Sequence, residues 1–308
     1  MEKEKQDTES RGKYFLAAFL APFIWGFMSI SVRWIQNYPS EDILYFRILT
    51  ALLVLWIYIF LFRRKVLHQD ILHYKSSSKK EQSKQLTWIL LASALIFVNW
   101  FTYIYAINHV SIQSAALAYL TCPLITAVAA FFLLHEKLNR TQIIALLMAL
   151  VSVLILAKGS LNDVLWAIGI ATSYAFYLIV QRVSTGFDKL NQLAIQLSIC
   201  SVFVISKLIY NHHAIPTAPQ FWYTILLIAV LFTIIPLFLS MYALTEISST
   251  TAGVLLYTNP IIAFTLAVTY FGETVPTYKY MGYLLILVAI IIFNIHNVKI
   301  FSKNLKTL

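Results

Sequence analysis

Ten apolar stretches, each about long enough to cross a bilayer, occupy most of this chain. They fall near residues 15–35, 45–62, 86–107, 114–134, 141–157, 161–180, 193–209, 221–244, 251–271 and 280–295. Crossing about 30 Å of hydrocarbon takes roughly 20 helical residues. Inside that layer every backbone N–H and C=O must bond within the protein, which leaves helices or closed barrels. A spanning barrel shows alternating segments of about ten residues. These stretches are longer and apolar on all sides, so the chain reads as an all-α integral membrane protein of ten helices. With 60% hydrophobic and 12% charged residues, against roughly 45–50% and 25% in soluble domains, soluble globular classes are excluded.

The second half repeats the first. Tyr105-Ala106-Ile107, Pro123 and Glu136 recur as Tyr242-Ala243-Leu244, Pro260 and Glu273, at an offset of 137 residues each time (242 − 105, 260 − 123, 273 − 136). Earlier in each half, setting Trp25 against Tyr174 brings Arg33 opposite Arg182, 149 residues on (182 − 33). Five helices, an odd number, separate each residue from its partner. Glu136 is therefore expected to end its helix at one face of the membrane and Glu273 at the other. That predicts two inverted five-helix repeats, residues 14–157 and 161–296, with the seam near Lys158-Gly159-Ser160. Inverted repeats let two halves exchange conformations around a midplane site.

Lysine and arginine orient the chain. Arg63, Arg64, Lys65, Lys75, Lys79, Lys80, Lys84, Lys137, Arg140, Arg182, Lys189, Lys299, Lys303 and Lys306 share one side with the N-terminal tail. The opposite side keeps Lys158, Lys207 and Lys279, apart from two membrane-edge arginines, Arg33 and Arg47. Positive loops face the cytoplasm, so both termini are expected inside a plasma membrane. The net charge of +10 comes with no nucleic-acid motif and suits anionic lipid headgroups. Residues 1–13 are expected to form a disordered cytoplasmic tail, 63–85 a solvated cytoplasmic connector and 297–308 a second tail. Cys122 and Cys200 lie in apolar stretches and read as buried free thiols, with no spacing for zinc or a disulfide framework.

Taken in order, Phe23-Ile24-Trp25-Gly26, Arg47 at the head of span two, Pro123, His135-Glu136, Pro260 and Gly272-Glu273 resemble the EamA family of the drug/metabolite transporter superfamily. Tyr38-Pro39, Ile43-Leu44, Asn99-Trp100 and Phe176-Tyr177 are similar to its RarD, or chloramphenicol-sensitivity, branch. The resemblance runs from about residue 15 to 293. It implies ten helices in two EamA repeats and movement of a metabolite or drug through a central cavity. The chain departs from the family pattern at His135, where glycine is usual, and at Cys122, where a more polar residue precedes the proline.

Candidate cavity residues are the polar or aromatic groups that apolar spans tolerate only for a reason. The carboxylates nearest the membrane, Glu41, Asp42, Glu136, Asp163, Glu246 and Glu273, all fall at helix ends, which argues against a mid-membrane carboxylate proton relay. Arg47, about one turn into span two, reads either as an interface anchor or partner of Glu41 or Asp42, or as a cation facing a cavity; Arg33 reads as a headgroup contact. Pro123 and Pro260 each remove a helical hydrogen bond, freeing carbonyls near Tyr119 and Leu256. Pro236, in span eight, has Asn99 at its repeat position. Asn99, Trp100 and Tyr103, with Trp25, Tyr177, Gln181, Tyr257 and Asn259, complete a set able to line a mostly apolar site. His135-Glu136 opens like a zinc-protease motif, but Asn139 stands where the second histidine belongs. His212-His213 reads as an external loop.

The sequence reading is a non-enzymatic secondary transporter, an exporter of a small metabolite or drug-like molecule, without cofactor or metal. A lipid flippase is the alternative, and an integral membrane lipid enzyme a weaker one. Its partners are that small molecule and membrane lipids, with no nucleic acid; a monomer suffices and a dimer is allowed.

Overall fold

The computed structural model describes residues 2–110, 112–157, 161–210, 215–272 and 274–305. Lys158, Gly159, Ser160, His212, His213, Glu273 and Lys306 lie outside the described residues. Helices α1 (Glu2–Gly26) and α2 (Met28–Arg33) make span one. Spans two to five are α3 (Ser40–Phe62), α5 (Lys79–His109), α6 (Ile112–Leu134) and α7 (Arg140–Leu156), with α4 (Arg64–Ser76) between the second and third. Spans six and seven are α8 (Leu161–Val183) and α9 (Lys189–Tyr210). Span eight is α10 (Pro219–Ala229), a π turn (Val230–Ile234) and α11 (Ile235–Ala243). Span nine is α12 (Ser249–Leu255) and α13 (Thr258–Thr269), and span ten is α14 (Thr277–Leu305). Nine of the ten described spans run 19–29 residues. α7, at 17 residues, is at the short end of about 17–25.

The repeat is visible in the packing. α1 packs on α11 and α13 as α8 packs on α5 and α6; α10 packs on α3 as α5 packs on α9; and α3–α9, α6–α12 and α7–α14 each join a span to its own repeat partner. Exchanging the halves maps these pairings onto themselves, as two inverted repeats require. α3 and α9 start at Ser40 and Lys189, also 149 residues apart (189 − 40). The offset falls to 137 after α4, a 13-residue helix inserted in the first half.

Polar groups and small residues hold the helices together where lipid gives no hydrophobic drive. Asn99 Nδ2 donates to the Ile170 carbonyl at 2.9 Å, joining α5 to α8. Trp56 Nε1 donates to Ser198 Oγ at 2.9 Å between α3 and α9, and Ser152 Oγ to the Gly282 carbonyl at 2.6 Å between α7 and α14. Gly26 lets α1 meet α13: a Cβ there would sit 2.6 Å from Ile262 Cβ. Large apolar side chains such as Leu53, Phe132 and Leu154 stay exposed, as a lipid-facing surface demands.

Three expectations change. Residues 2–13 are helical rather than disordered: once span one pays for nucleation, propagation into a tail rich in Glu, Lys and Gln costs little. The 63–85 connector is largely helix, with α4 docked by Asp70, which accepts from the Asn191 side chain at 2.6 Å. α5 then begins at a Ser78–Glu81 capping box. Span two starts at Ser40 instead of 45, because Glu41 and Asp42 suit a first helical turn; Arg47 is two turns in, not one.

The helices also differ in continuity. Span one breaks at Phe27, span eight passes through the π turn, and span nine breaks at Leu256 and Tyr257, while their repeat partners α8, α5 and α6 run unbroken. Pro236 follows the π turn, and Pro260 follows the span-nine break at Leu256, whose carbonyl it has no N–H to serve. Pro123 is accommodated inside α6. The Leu256 carbonyl, expected to be free, accepts the Asn259 N–H at 3.1 Å.

Candidate functional site

A cavity of about 350 Å³ opens at the face where α2 ends and α3 begins, the open face. Trp25, Gly26 and Ser29 of span one form one wall; Trp100, Tyr103 and Tyr119 of spans three and four form the other. Tyr174 of α8 joins them, 6.3 Å from the Trp25 ring and 6.4 Å from that of Tyr119. Tyr103 and Tyr119 meet edge to face at 5.2 Å. Arg47 projects into this aromatic basin. Its Nη1 meets the Met28 sulfur at 3.8 Å, its guanidinium carbon lies 5.2 Å from the Trp100 ring centre, and its buried Nε has no hydrogen-bond partner. Among the described residues no carboxylate pairs with it; Arg63 and Asp188 form an ion pair elsewhere. Glu41 and Asp42 are therefore not its partners.

Backbone breaks shape the wall. Pro236 has no N–H to give the carbonyl four residues back, that of Phe232. Trp25 Nε1 takes that acceptor instead, at 2.9 Å. The bond ties span one to the π turn and sets the indole at the edge of the cavity. Thr233 of the same turn and Asn259 beside Pro260 add the polar lining on that side.

The opposite, closed face is sealed. There α8 reaches α11 and α12; the repeat-related approach, of α1 to α5 and α6, is where the cavity lies. Below the basin, Tyr177, Gln181, Gln192 and Gln196 are buried. Gln181 donates to Gln196 at 2.9 Å, Gln192 to Gln181 at 2.9 Å and Tyr177 to Gln196 at 3.4 Å. Farther out, Glu136 accepts from Ser249 N at 2.7 Å, Thr250 N at 3.0 Å and Thr250 Oγ1 at 2.6 Å. Arg63 makes two 3.1 Å bonds to Asp188, and Arg182 donates to the Leu244 and Thr245 carbonyls at 2.7 Å. Glu136 can reach α12 because His135 turns the chain with φ 52°; its repeat partner Gly272 has φ 64°. The left-handed turn is a property of the repeat, which suits Gly272 and makes His135 the strained substitute.

Of the expected cavity residues, Trp25, Arg47, Trp100, Tyr103, Tyr119 and Asn259 line the open basin. Asn99 does not: it is spent on the α5–α8 bond. Tyr177 and Gln181 belong to the closed-face cluster, Tyr257 is buried at the span-nine break, and Pro123 and Pro260 lie outside the lining. Arg33, expected at headgroups, stacks 3.7 Å over the Phe271 ring. Two residues the sequence reading passed over matter here. Tyr174 was visible only as the partner of Trp25, and Gln196 stands 149 residues after Arg47 (196 − 47). A larger hollow of about 820 Å³ lies against α6 and α7, among Leu124, Val128, Phe132 and Leu147. Its apolar wall suits acyl chains and has nothing to orient a polar solute.

Residues 12–158 and 162–295 each match the EamA-like transporter family. The chain belongs to this family. It is a multi-pass membrane transporter, not an enzyme, with ten spans among the described residues, in two EamA repeats. It is 29% identical over 295 residues to the protein named RarD of Escherichia coli (strain K12), covering 93% of this chain and 95% of that one. It is 27% identical over 281 residues to a Bacillus subtilis (strain 168) protein named as the uncharacterized transporter YojE, covering 90% and 91%. One solved crystal structure superposes with a TM-score of 0.74 at 15% identity over 92% of this chain and 97% of that chain, a likeness of fold.

Proposed function

We propose that this EamA protein is a secondary transporter that exports a small metabolite or drug-like molecule by alternating access, and that the structure is its outward-open state. The observation that carries the reading is an asymmetry between equivalent interfaces. Span six closes on spans eight and nine, whereas span one stands away from spans three and four across the cavity. Swapping the two arrangements would seal the open basin and open the glutamine cluster to the other side. By the distribution of Lys and Arg, the closed face is cytoplasmic, both termini are inside, and the membrane is the plasma membrane. Among the described residues no Asp or Glu lines the cavity, which favours exchange or facilitated movement over a carboxylate proton relay. A monomer contains both halves and the whole cavity.

Cysteine labelling tests this. Cys122 and Cys200 are buried, so their background reactivity is low. Ser29→Cys, in the basin, should react with a membrane-impermeant maleimide added outside intact cells. Gln181→Cys should react from the cytoplasmic face of inverted vesicles and not from outside. Labelling of both from one face would end the alternating-access reading.

A further inference from the structure

We propose that the basin is a site for an organic monoanion with a flat apolar body, its carboxylate seated on Arg47 and its body against Trp100, Tyr103 and Tyr119. This rests on the transporter reading and adds the substrate class. Arg47 is the one full charge among the described residues lining the cavity. A guanidinium offers five N–H donors, yet here Nη1 meets only a thioether and Nε meets nothing. The Trp100 ring face, 5.2 Å away, offsets part of the desolvation of the cation without using its donors. Among mostly apolar walls, a cation with no counter-charge selects strongly for one. A carboxylate fits the planar fork with two parallel bonds, which an ammonium or a neutral amide cannot do.

The rest of the lining sets the remainder of the molecule. With one cation and no acid among the described residues of the wall, a single negative charge is matched and a second is not. Trp25, Trp100, Tyr103, Tyr119 and Tyr174 present ring faces and edges within one basin, so a planar apolar body packs better than a sugar or a polyol. The volume of about 350 Å³ sits at the small end of the roughly 300–1,000 Å³ typical of small-molecule sites. At the repeat-equivalent position on the closed face stands Gln196, a neutral amide hydrogen-bonded to Gln181. Arg47→Gln therefore copies a side chain that the fold already holds at that place in the other half.

Equilibrium binding to the full chain in nanodiscs, with 3-phenylpropionate, 3-phenylpropionamide and 3-phenylpropylamine as probes, separates charge from shape. The anion should bind about thirty-fold or more tighter than the amide, the lower end for removing one partner of a buried charge pair, and the amine weakest. Arg47→Gln should bring the anion down to the affinity of the amide without weakening the amide. Arg47→Lys should keep a preference for the anion at reduced affinity. Equal binding of anion and amide by the native protein, preference for the amine, unchanged anion affinity in Arg47→Gln, or no binding of any probe would each overturn the proposal. Maleimide labelling of Ser29→Cys and Gln181→Cys from opposite faces would stand through any of those results, so the substrate class can fall while the carrier reading survives.

Discussion

Trp25 donates its indole N–H to the Phe232 carbonyl at 2.9 Å, four residues before Pro236, which has no N–H to offer it. A proline in span eight is thus answered by a tryptophan in span one. Trp25→Phe keeps the ring and removes that donor, which should cost about 1–3 kcal/mol. In a Pro236→Ala background the backbone N–H returns, and the same change should cost markedly less. Thermal unfolding in detergent of the two single variants and the double variant measures that coupling.

Glu136 fastens the closed face through three accepted hydrogen bonds at the start of α12. Hydrogen bonds to a charged group contribute about 1.5–3 kcal/mol, and about 1.4 kcal/mol shifts a two-state population tenfold. Glu136→Ala should therefore raise the cytoplasmic labelling rate of Gln181→Cys by about tenfold or more. Glu136→Gln, which keeps an acceptor for Thr250, should fall between. A rate equal to that of the parent would show that these bonds do not hold the face shut.

His135 occupies a left-handed turn that its partner Gly272 adopts freely. An L-residue there carries strain of roughly 1–2 kcal/mol, so His135→Gly should raise the melting temperature. His135→Val, β-branched and poorly suited to positive φ, should lower it. The order Gly above His above Val is the expected result.

Gly26 permits the closest approach of α1 to α13, with Ile262 against it. Gly26→Ala should destabilise by about 1–3 kcal/mol through overpacking. Ile262→Ala in the same chain should recover much of that loss, because it empties the space the new methyl needs. Failure of the second change to rescue the first would mean that Gly26 is needed for the bend at Phe27 rather than for contact.

Hydropathy and the 137-residue repeat carried the ten spans and their inversion, because bilayer thickness and backbone satisfaction leave few other solutions. Trp25, Arg47, Trp100, Tyr103, Tyr119 and Asn259 stood out as polar-tipped groups in apolar surroundings, and they come to line one hollow. Asn99 stood out for the same reason and is used instead to bind two helices; a polar side chain in a span announces a partner without saying which. α4 was missed because its residues are mostly exposed and no apolar run marks it, although Ser78 and Glu81 spelled the capping box that follows. The breaks in spans one, eight and nine depend on which carbonyls lose donors and which neighbours replace them. Only the fold decides that, as Phe232 and Trp25 show.

Spans one, eight and nine are interrupted where spans six, three and four are whole. If the halves trade shapes during transport, each turn that unwinds on one flank is matched by a turn that winds on the other. The ledger of backbone bonds then stays level through the cycle, so a modest difference in solute affinity is enough to drive a large rearrangement of the chain.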